Sequence, residues 1–393
     1  MTRPLEGITV VAVEQAVAAP FASRQLADLG ARVIKIERPG VGDFARSYDT
    51  TVRGMASHFV WTNRSKESLT LDLKRVEAIE VLRRLVGRAD VFLHNLAPGA
   101  VERMGFDSDG LRAKHPRIIT CGISGYGSSG PYRDKKAYDL LVQSEAGLVS
   151  ITGTDDTPSK VGISIADIAA GMYAFSGVLA ALLRRERTGE GGTVDVSMFD
   201  ALAEWMGFPA YFTEYGGLAP SRSGARHASI APYGPFVAGD GHTVYLGLQN
   251  EREWVRFCNE VLQRPDLSTD ERFTSNTARV AHQDQLNQVI THAFSGQSAA
   301  EVVARLDAAG IASARMNTMR EFLDHPQLAA RDRWREVESP VGPLRALVPP
   351  IALDGPKPAM GPIPALGEHT DAILQELGYD AATIAGWRQR GVV

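Results

Sequence analysis

The chain has 393 residues, a length that exceeds one compact core and predicts two domains. Hydrophobic residues make up 44% and charged residues 22%, which is the composition of an ordinary globular protein. The formal net charge of −4 disfavours a nucleic-acid-binding or membrane-surface protein, because both classes usually carry a basic excess.

The N-terminal segment and the cysteines predict a cytoplasmic protein without a metal site. Residues 2–7 lead straight into a strand-like run and lack the apolar stretch of a signal peptide. The longest nearly apolar segment, residues 172–183, is shorter than a bilayer span. Cys121 and Cys258 have no partner at metal-ligand spacing, a disulfide is not expected, and the histidines are scattered.

The first part of the chain alternates strand and helix patterns. In chain order it predicts a strand over residues 8–13, a helix over 20–29 that Gly30 closes, and strands over 32–36, 90–94 and 117–122. Such an alternation builds an open parallel sheet, which binds ligands at the carboxyl ends of its strands. The loops after residues 13, 36, 94 and 122 are therefore the candidate binding loops.

A dinucleotide-binding site is disfavoured despite this beginning. The first strand is followed by Glu14-Gln-Ala-Val-Ala-Ala-Pro20, which lacks the G-x-G-x-x-G glycines that let a pyrophosphate approach the backbone. Glu37 stands where a ribose-binding acid could lie, but without those glycines it does not indicate NAD.

The pattern changes in the second half of the chain. A long helix over 168–186 and a strand over 193–197 precede a stretch rich in glycine, proline and serine, Gly216–Pro235. A hairpin that turns at Asp240-Gly241, helices over 250–263, 283–294 and 298–309, a connection over 339–366, and terminal helices opening near Glu368 and Asp380 follow. We predict a large domain of residues 1–198 completed by 338–393, linkers over 199–225 and 331–337, and a smaller α+β domain over 226–330.

The segment Gly162-Ile-Ser-Ile-Ala-Asp167 enters the long helix, and two interpretations of Asp167 stay open. An acid at this place most often caps the helix N-terminus. Alternatively, the small residues that follow, such as Ala169, Ala170 and Gly171, leave room for a bulky group beside the carboxylate. The helix N-terminus would then keep the carboxylate ionised, as nucleophilic acyl transfer requires.

Seven stretches together resemble the class III CoA-transferase family, which includes formyl-CoA transferase and carnitine CoA-transferase. They are Pro4-Leu-Glu-Gly-Ile-Thr-Val-Val, residues 27–40 (ADLGARVIKIERPG), Asn63-Arg-Ser-Lys-Glu-Ser-Leu-Thr-Leu-Asp-Leu-Lys, residues 95–106 (NLAPGAVERMGF), residues 162–172 around Asp167, His325-Pro-Gln-Leu and Leu366-Gly-Glu-His-Thr-Asp. The resemblance runs nearly end to end, and the order and spacing of the stretches make it specific.

The resemblance implies a fold and a mechanism. The fold would be α/β, with a large Rossmann-like parallel-sheet domain and a smaller α+β domain in an interlocked homodimer. The carboxylate of Asp167 would attack an acyl-CoA thioester, giving a mixed anhydride and then an aspartyl-CoA thioester that the acceptor acid consumes. Coenzyme A thioesters would be substrates, and no permanently bound cofactor, nucleic acid or membrane would be needed.

The resemblance also implies a set of coenzyme A contacts near the candidate loops. They are Val17, Ala18, Arg38, Leu71, Lys74, Asn95, Leu96, Ala100, Arg103, Lys136 and Met198. Arg38, Lys74, Arg103 and Lys136 would supply local cations for the phosphates of an acidic ligand. Taken singly, each cation also fits a solvated surface charge.

The residue pair Tyr138-Asp139 matches a Tyr-acid pair that the formyl-CoA transferase branch has beside its nucleophile, although Asp139 also fits an ordinary helix start. The racemase branch of the family has a histidine here, so Ala137-Tyr138-Asp139 disfavours an α-methylacyl-CoA racemase. A non-catalytic CoA-binding subunit is disfavoured because Asp167 is present.

The tetraglycine loop of formyl-CoA transferase has no counterpart in this chain. Residues 222–234 stand in its region, and residues 226–236 together with Gly247–Trp254 look like the itaconate CoA-transferase branch. We therefore expect a short dicarboxylic acid such as itaconate or mesaconate as acceptor and succinyl-CoA as donor. A second carboxylate needs a cation if it is buried, and Arg226 and His227 are the candidates. These two residues also fit a role at a subunit surface.

Overall fold

The computed structural model describes residues 2–393 as two compact units. The larger unit comprises the chain up to Ala146, Val161–Gly207 and Ala330–Val393, and the smaller unit comprises Gly147–Lys160 and Phe208–Ala329. This division differs from the predicted one. Residues 147–160 belong to the smaller unit, and much of the predicted linker over 199–225 is helical.

The described residues form the following strands and helices. The strands are β1 (Thr9–Val13), β2 (Arg32–Glu37), β3 (Lys66–Thr70), β4 (Val91–His94), β5 (Ile119–Ser124), β6 (Gly192–Ser197), β7 (Tyr233–Val237), β8 (Thr243–Gly247), β9 (Ala312–Arg315), β10 (Trp334–Val337) and β11 (Leu344–Leu347). The helices up to residue 216 are α1 (Ala18–Asp28), α2 (Ser57–Thr62), α3 (Val76–Val86), α4 (Ala100–Arg103), α5 (Ser108–Lys114), α6 (Asp139–Glu145), α7 (Leu148–Ile151), α8 (Ile165–Thr188), α9 (Met198–Trp205) and α10 (Gly207–Gly216). The later helices are α11 (Glu251–Arg256), α12 (Asn276–Ala281), α13 (Gln283–Phe294), α14 (Ala299–Ala308), α15 (Met319–Leu323), α16 (Pro326–Ala330), α17 (Thr370–Glu376) and α18 (Ala381–Gln389). Strand β10 occupies most of the predicted second linker.

A six-stranded parallel sheet in the order β3-β2-β1-β4-β5-β6 forms the centre of the larger unit. The predicted parallel sheet is thereby confirmed. Strand β1 pairs with β2 on one side and with β4 on the other, with Val11 opposite both Ile34 and Phe92. Because the strands are parallel, the loops after β1, β2 and β4 meet at one edge of the sheet.

Each face of this sheet is covered by helices. On one face, α3 and the terminal helices α17 and α18 bury a cluster that contains Leu82, Leu85, Leu374 and Trp387. The chain therefore completes its larger unit with its C-terminal helices. A separate pair of antiparallel strands, β10 and β11, belongs to the same unit.

Helix α8 has 24 residues and is long and apolar enough to cross a membrane by length and composition alone. The apolar segment over 172–183, predicted to be too short for a span, is the middle part of this helix. The helix packs against α1, β5 and β6, and its buried face is built from small and apolar side chains such as Ala170, Ala174 and Val178. Those contacts make α8 a core helix of the larger unit.

The smaller unit contains an antiparallel sheet, β7-β8-β9, packed against helices. The predicted hairpin is present, with Gly241 in its turn at φ 81°. The helix predicted over 250–263 is α11 continued by a π-helical stretch, Phe257–Leu262. Trp254, Phe257, Phe273 and Phe294 are fully buried in the core of this unit.

Candidate active site

Asp167 is the third residue of α8, and its carboxylate has no protein partner. The N-cap position belongs to Ser164, so the interpretation of Asp167 as the N-cap was wrong. Within residues 2–393, no hydrogen bond or ion pair engages the half-buried Asp167 side chain. Since α8 leads into β6, which runs parallel to β5, this helix begins near the carboxyl ends of the strands.

The capping role is filled by Asp139, the first residue of α6. Its Oδ1 accepts hydrogen bonds from the backbone N–H groups of Ala166 at 2.8 Å and Asp167 at 3.3 Å. Its Oδ2 accepts a bond of 2.5 Å from the Gln143 side chain. Asp139 therefore satisfies the unpaired donors of the helix N-terminus and leaves the Asp167 carboxylate unbound.

Burial, and then the charge of Asp139, raise the pKa of Asp167 to about 7. The sequence analysis expected the helix N-terminus to keep this carboxylate ionised. Burial is the larger cause of the raised pKa, and the negative charge of Asp139, which already occupies the positive end of the helix, adds to it. A group with this pKa is divided between its two protonation states near neutral pH.

The small residues after Asp167 serve close packing between two helices. A side chain at Gly171 would place its Cβ 2.7 Å from the carbonyl oxygen of Ala18 and 2.9 Å from Cδ1 of Phe21. Ala169 and Ala170 are also fully buried. At Gly171, α1 fills the space that the sequence analysis expected to be open to a bulky group.

An aromatic group that the sequence analysis missed lies near enough to Asp167 for the charge of that residue to act on it. Burial, followed by the charges of Asp43 and Asp167, raises the pKa of the Tyr48 phenol. The Tyr48 ring meets His58 edge-on with 5.7 Å between ring centroids, and His58 in turn contacts Trp61 at 6.5 Å. Nothing in the local sequence signals this group, because its members come from a loop and from α2.

A cavity of about 450 Å³ opens at the carboxyl ends of β1, β2 and β4. Six of the residues that the resemblance assigns to coenzyme A line it, namely Arg38, Leu71, Lys74, Leu96, Ala100 and Arg103. Three of the six are cations in a protein of net charge −4. The guanidinium of Arg38 also stacks on the ring of Phe44 at 4.8 Å.

The other assigned residues lie elsewhere in the larger unit. Val17 and Ala18 are buried at the start of α1, and Met198 is buried at the start of α9. Lys136 is exposed, and Asn95 uses its side chain to bind the backbone of Gln15. Of the Tyr-acid pair, Tyr138 is 71% exposed, so only Asp139 is fixed by hydrogen bonds.

Beneath the cavity lies a group of fully buried charges, which we call the buried ion network. Lys66 donates to Glu14 at 2.6 Å, and Lys35 lies 3.3 Å from Glu14 and 2.7 Å from Asp43. Burial lowers the pKa of Lys66 to about 7. Burial also disfavours the Lys35 cation, but the charges of Glu14 and Asp43 raise its pKa overall.

Glu37 belongs to the same end of the sheet and has a structural role. Arg46 binds both carboxylate oxygens of Glu37 at 2.7 Å, and the Ser68 hydroxyl donates to it at 2.6 Å. Burial alone would raise the pKa of Glu37, but the Arg46 contact, the charge of Lys35 and the Ser68 hydrogen bond together outweigh it and lower the value to about 2. With its oxygens occupied, Glu37 is not available to bind a ribose.

Arg226 and His227 lie in the smaller unit, and both are engaged there. Arg226 donates to the carbonyl oxygen of Pro235 at 3.1 Å and stacks on Phe236 at 5.5 Å. His227 stacks on Tyr233 with 5.3 Å between centroids and accepts a hydrogen bond from the backbone N–H of Ser229. These contacts give both side chains a role within their own unit.

Comparison with known proteins finds matches over most of the chain. The sequence pattern of CoA-transferase family III matches residues 5–370. A succinate–glutarate CoA-transferase of Agrobacterium fabrum is 34% identical, over 95% of this chain and 96% of that protein. A succinyl-CoA–D-citramalate CoA-transferase of Chloroflexus aurantiacus is 33% identical, over 95% of this chain and 94% of that protein. The crystal structure of a CAIB/BAIF family protein from Brucella suis superposes with a TM-score of 0.84, at 32% identity and covering 96% of this chain and 100% of that one.

Proposed function

Because the chain belongs to CoA-transferase family III and is a CoA-transferase, we propose that Asp167 is the nucleophile through which it moves coenzyme A between acids. The observation that carries this proposal is a half-buried carboxylate with no hydrogen-bond or ion-pair partner in residues 2–393. A carboxylate held by a cation or by N–H donors is a poor nucleophile, whereas an unbound one can attack a carbonyl carbon.

The proposed reaction is a series of exchanges at carbonyl carbons. An Asp167 oxygen attacks the thioester carbon of the donor, and the C–S bond breaks to give a mixed anhydride and coenzyme A thiolate. The thiolate attacks the aspartyl carbon, releasing the donor acid as its carboxylate and forming an aspartyl-CoA thioester. The acceptor carboxylate attacks that thioester, and the expelled thiolate then takes the acceptor acyl group and frees Asp167.

These steps need no net transfer of protons or electrons, so the task of the protein is positioning and exclusion of water. The anhydride would be lost to hydrolysis if water reached it. Asp139 supports the nucleophile by fixing the first turn of α8. The pKa of about 7 means that the reactive, ionised form of Asp167 is present at neutral pH without being locked in an ion pair.

The cavity is the proposed binding site of coenzyme A. Arg38, Lys74 and Arg103 line it and would bind the phosphates, while Leu71, Leu96 and Ala100 give it an apolar wall suited to adenine. Val17 and Ala18 begin α1 next to α8, so they would lie along the path from this site to Asp167. Asn95 would act by holding the loop after β1, and Lys136 and Met198 remain proposed contacts.

The proposed acceptor is a short dicarboxylic acid, with itaconate or mesaconate as the candidates and succinyl-CoA as the donor. The names of the two relatives support a diacid, since glutarate and citramalate both carry two carboxyl groups. Burying the second carboxylate without a cation would cost several kcal/mol. Arg226 and His227 stay the proposed partners, although the contacts of both within the smaller unit compete with that role.

A comparison of itaconate with its half-amide, which keeps one carboxylate and a similar shape, tests the substrate class. With succinyl-CoA as donor, kcat/KM for the diacid should be at least about tenfold higher in the wild type, which equals about 1.4 kcal/mol. Equal rates for the two acids would show that the substrate class is wrong. A preference that survives both Arg226→Ala and His227→Ala would place the cation elsewhere.

The proposed homodimer is supported by the surface of α10. Phe208, Tyr211, Phe212 and Tyr215 are between 42% and 82% exposed, and they form two ring pairs along the helix. Exposed apolar groups of this size usually mark an interaction surface. Sedimentation equilibrium should give a mass twice that of the chain.

A further inference from the structure

The side chain of Gln15 has no hydrogen-bond partner although it lies in the wall of the cavity. Its Oε1 atom is buried, and among residues 2–393 no protein group bonds to either end of the side-chain amide. Buried amide groups are normally satisfied, because an unmade hydrogen bond is costly. Gln15 therefore has, at the wall of the cavity, an acceptor and two donors that no protein group uses.

The backbone that carries Gln15 is held in place from both sides. The side chain of Asn95 accepts from the Gln15 N–H at 2.9 Å and donates to the Gln15 carbonyl oxygen at 2.8 Å. The next residue, Ala16, has φ 63°, a left-handed conformation that an alanine seldom adopts. Its N–H donates to Asp43 at 2.8 Å, and Asp43 is paired with Lys35. This degree of support is typical of a loop whose conformation serves binding.

The loop after β1 lines the cavity at Gln15 and leads into α1, which contacts α8 at Gly171. Gln15 shares the cavity with Arg38, which directly follows strand β2, and with Arg103, the last residue of α4, the helix after strand β4. Three residues further on, the carbonyl oxygen of Ala18 lies against Gly171, one helical turn beyond Asp167. If a ligand binds the cations with its phosphates and places its thioester at Asp167, the chain between these two groups would run past this loop.

We propose that the side-chain amide of Gln15 binds an amide group of the pantetheine arm of coenzyme A and so positions the thioester for Asp167. This inference rests on the proposed function of the cavity. The arm carries secondary amides, each with one N–H and one carbonyl oxygen, which match the acceptor and donors that Gln15 leaves unused. Gln15 is thus a positioning residue, and it does not touch the reacting atoms.

Calorimetric binding of coenzyme A, and of its adenosine bisphosphate fragment without the pantetheine arm, tests this role without requiring turnover. Gln15→Met keeps the volume of the side chain and removes its hydrogen-bonding groups. It should weaken coenzyme A binding by about tenfold, the effect of one or two hydrogen bonds. Binding of the fragment should stay within about twofold of the wild type, because the fragment does not reach Gln15.

Gln288→Met is the matched control, because Gln288 is an exposed residue of α13 outside the cavity, and it should change neither affinity. If Gln15→Met binds coenzyme A as tightly as the wild type, or binds both ligands equally more weakly, the inference is overturned but the proposed coenzyme A site is not. A wild type that binds neither ligand would overturn the inference together with the proposed coenzyme A site. Thermal unfolding of Gln15→Met shows whether a loss of binding comes from misfolding. If it does, Gln15→Glu, which keeps an acceptor, should weaken the binding of coenzyme A and leave the binding of the fragment unchanged.

Discussion

The carboxylates of the buried ion network and the half-buried carboxylate of Asp167 lie at the same end of the parallel sheet and differ in their partners. In the buried ion network, Glu14 and Asp43 are fully buried, and each contacts a lysine at 2.7 Å or closer. At the start of α8, Asp167 contacts no cation within the described residues 2–393. The pKa of Glu14 is lowered by its lysines, despite burial, whereas the pKa of Asp167 is raised to about 7.

The paired carboxylates support the structure, whereas the unpaired carboxylate of Asp167 is free to react. Paired charges fix loop geometry, as Asp43 does for Ala16, but their lone pairs are occupied. Asp167 keeps its lone pairs at the expense of folding stability, because nothing offsets the burial of its charge. The carboxylate that the protein does not stabilise is the one that we propose as the nucleophile.

Breaking the network should produce the largest change in stability. Lys35→Met leaves Asp43 buried without a cation and should lower the free energy of unfolding by about 3–5 kcal/mol, measured by urea unfolding. Arg83→Met breaks the exposed pair with Glu80 and should cost no more than about 1 kcal/mol. Similar losses in the two variants would show that the network is not a special source of support.

In contrast to Lys35→Met, the substitution Asp167→Asn should stabilise the fold. A carboxylate whose pKa is higher in the folded than in the unfolded state destabilises the protein progressively as pH rises between the two values. Here those values are 3.8 and about 7, and each unit is worth about 1.4 kcal/mol. The variant should therefore match the wild type near pH 4 and exceed it by a few kcal/mol above pH 7.

Urea unfolding at a series of pH values measures that gain, and Asp109→Asn is its control, because Asp109 is 90% exposed and should show almost no effect. A gain from Asp167→Asn that does not grow with pH would contradict the assigned titration.

Asp139→Asn sharpens the comparison by removing one cause of the raised pKa. Asparagine keeps the oxygen that caps α8 but carries no charge. The rising limb of kcat/KM against pH, which reports ionisation of Asp167, should move to lower pH. The limb should move by less than the full difference between the ordinary pKa of 3.8 and the value of about 7, because burial is the larger cause of the raised pKa.

An exposed acid in the first turn of another helix supplies the control for this pH profile. Asp200→Asn in α9 should leave the rising limb in place. A profile that is unchanged in Asp139→Asn would mean that another group limits activity at low pH.

The smallest expected effects concern the cations of the cavity. Arg38→Ala and Arg103→Ala should each raise KM for acyl-CoA by about tenfold and leave kcat nearly unchanged, because phosphate contacts are the same in ground and transition states. Steady-state kinetics with a saturating acceptor measures both constants. A loss of kcat alone in both variants would mean that the phosphates bind elsewhere.

Much of the larger unit was predictable because its central strands are continuous apolar runs. The strand β1 was predicted over 8–13 and is observed over Thr9–Val13. The edge strand β3 was missed as a structural element because it begins with Lys66 and Glu67. Charged residues do not indicate a strand, and the reason for them is tertiary, since Lys66 is an internal partner of Glu14.

The site was predictable where one residue carries the signal and was missed where contacts carry it. Asp167 stands in a segment that is recognisable as a linear motif. The capping of α8 by Asp139 joins residues 28 positions apart, and no spacing rule connects them. The same holds for Tyr48 and His58, whose proximity to each other depends on how a loop packs on α2.

Covalent trapping at Asp167 tests the central claim most directly. The wild type is incubated with succinyl-CoA, treated with hydroxylamine and digested, and the modified peptide is identified by mass spectrometry. We predict a hydroxamate at Asp167 in the wild type alone. In Asp167→Ala, transfer should fall by at least about a thousandfold, or about 4 kcal/mol of barrier, while acyl-CoA still binds. An adduct at another residue, or transfer by the alanine variant within about tenfold of the wild type, would contradict the account.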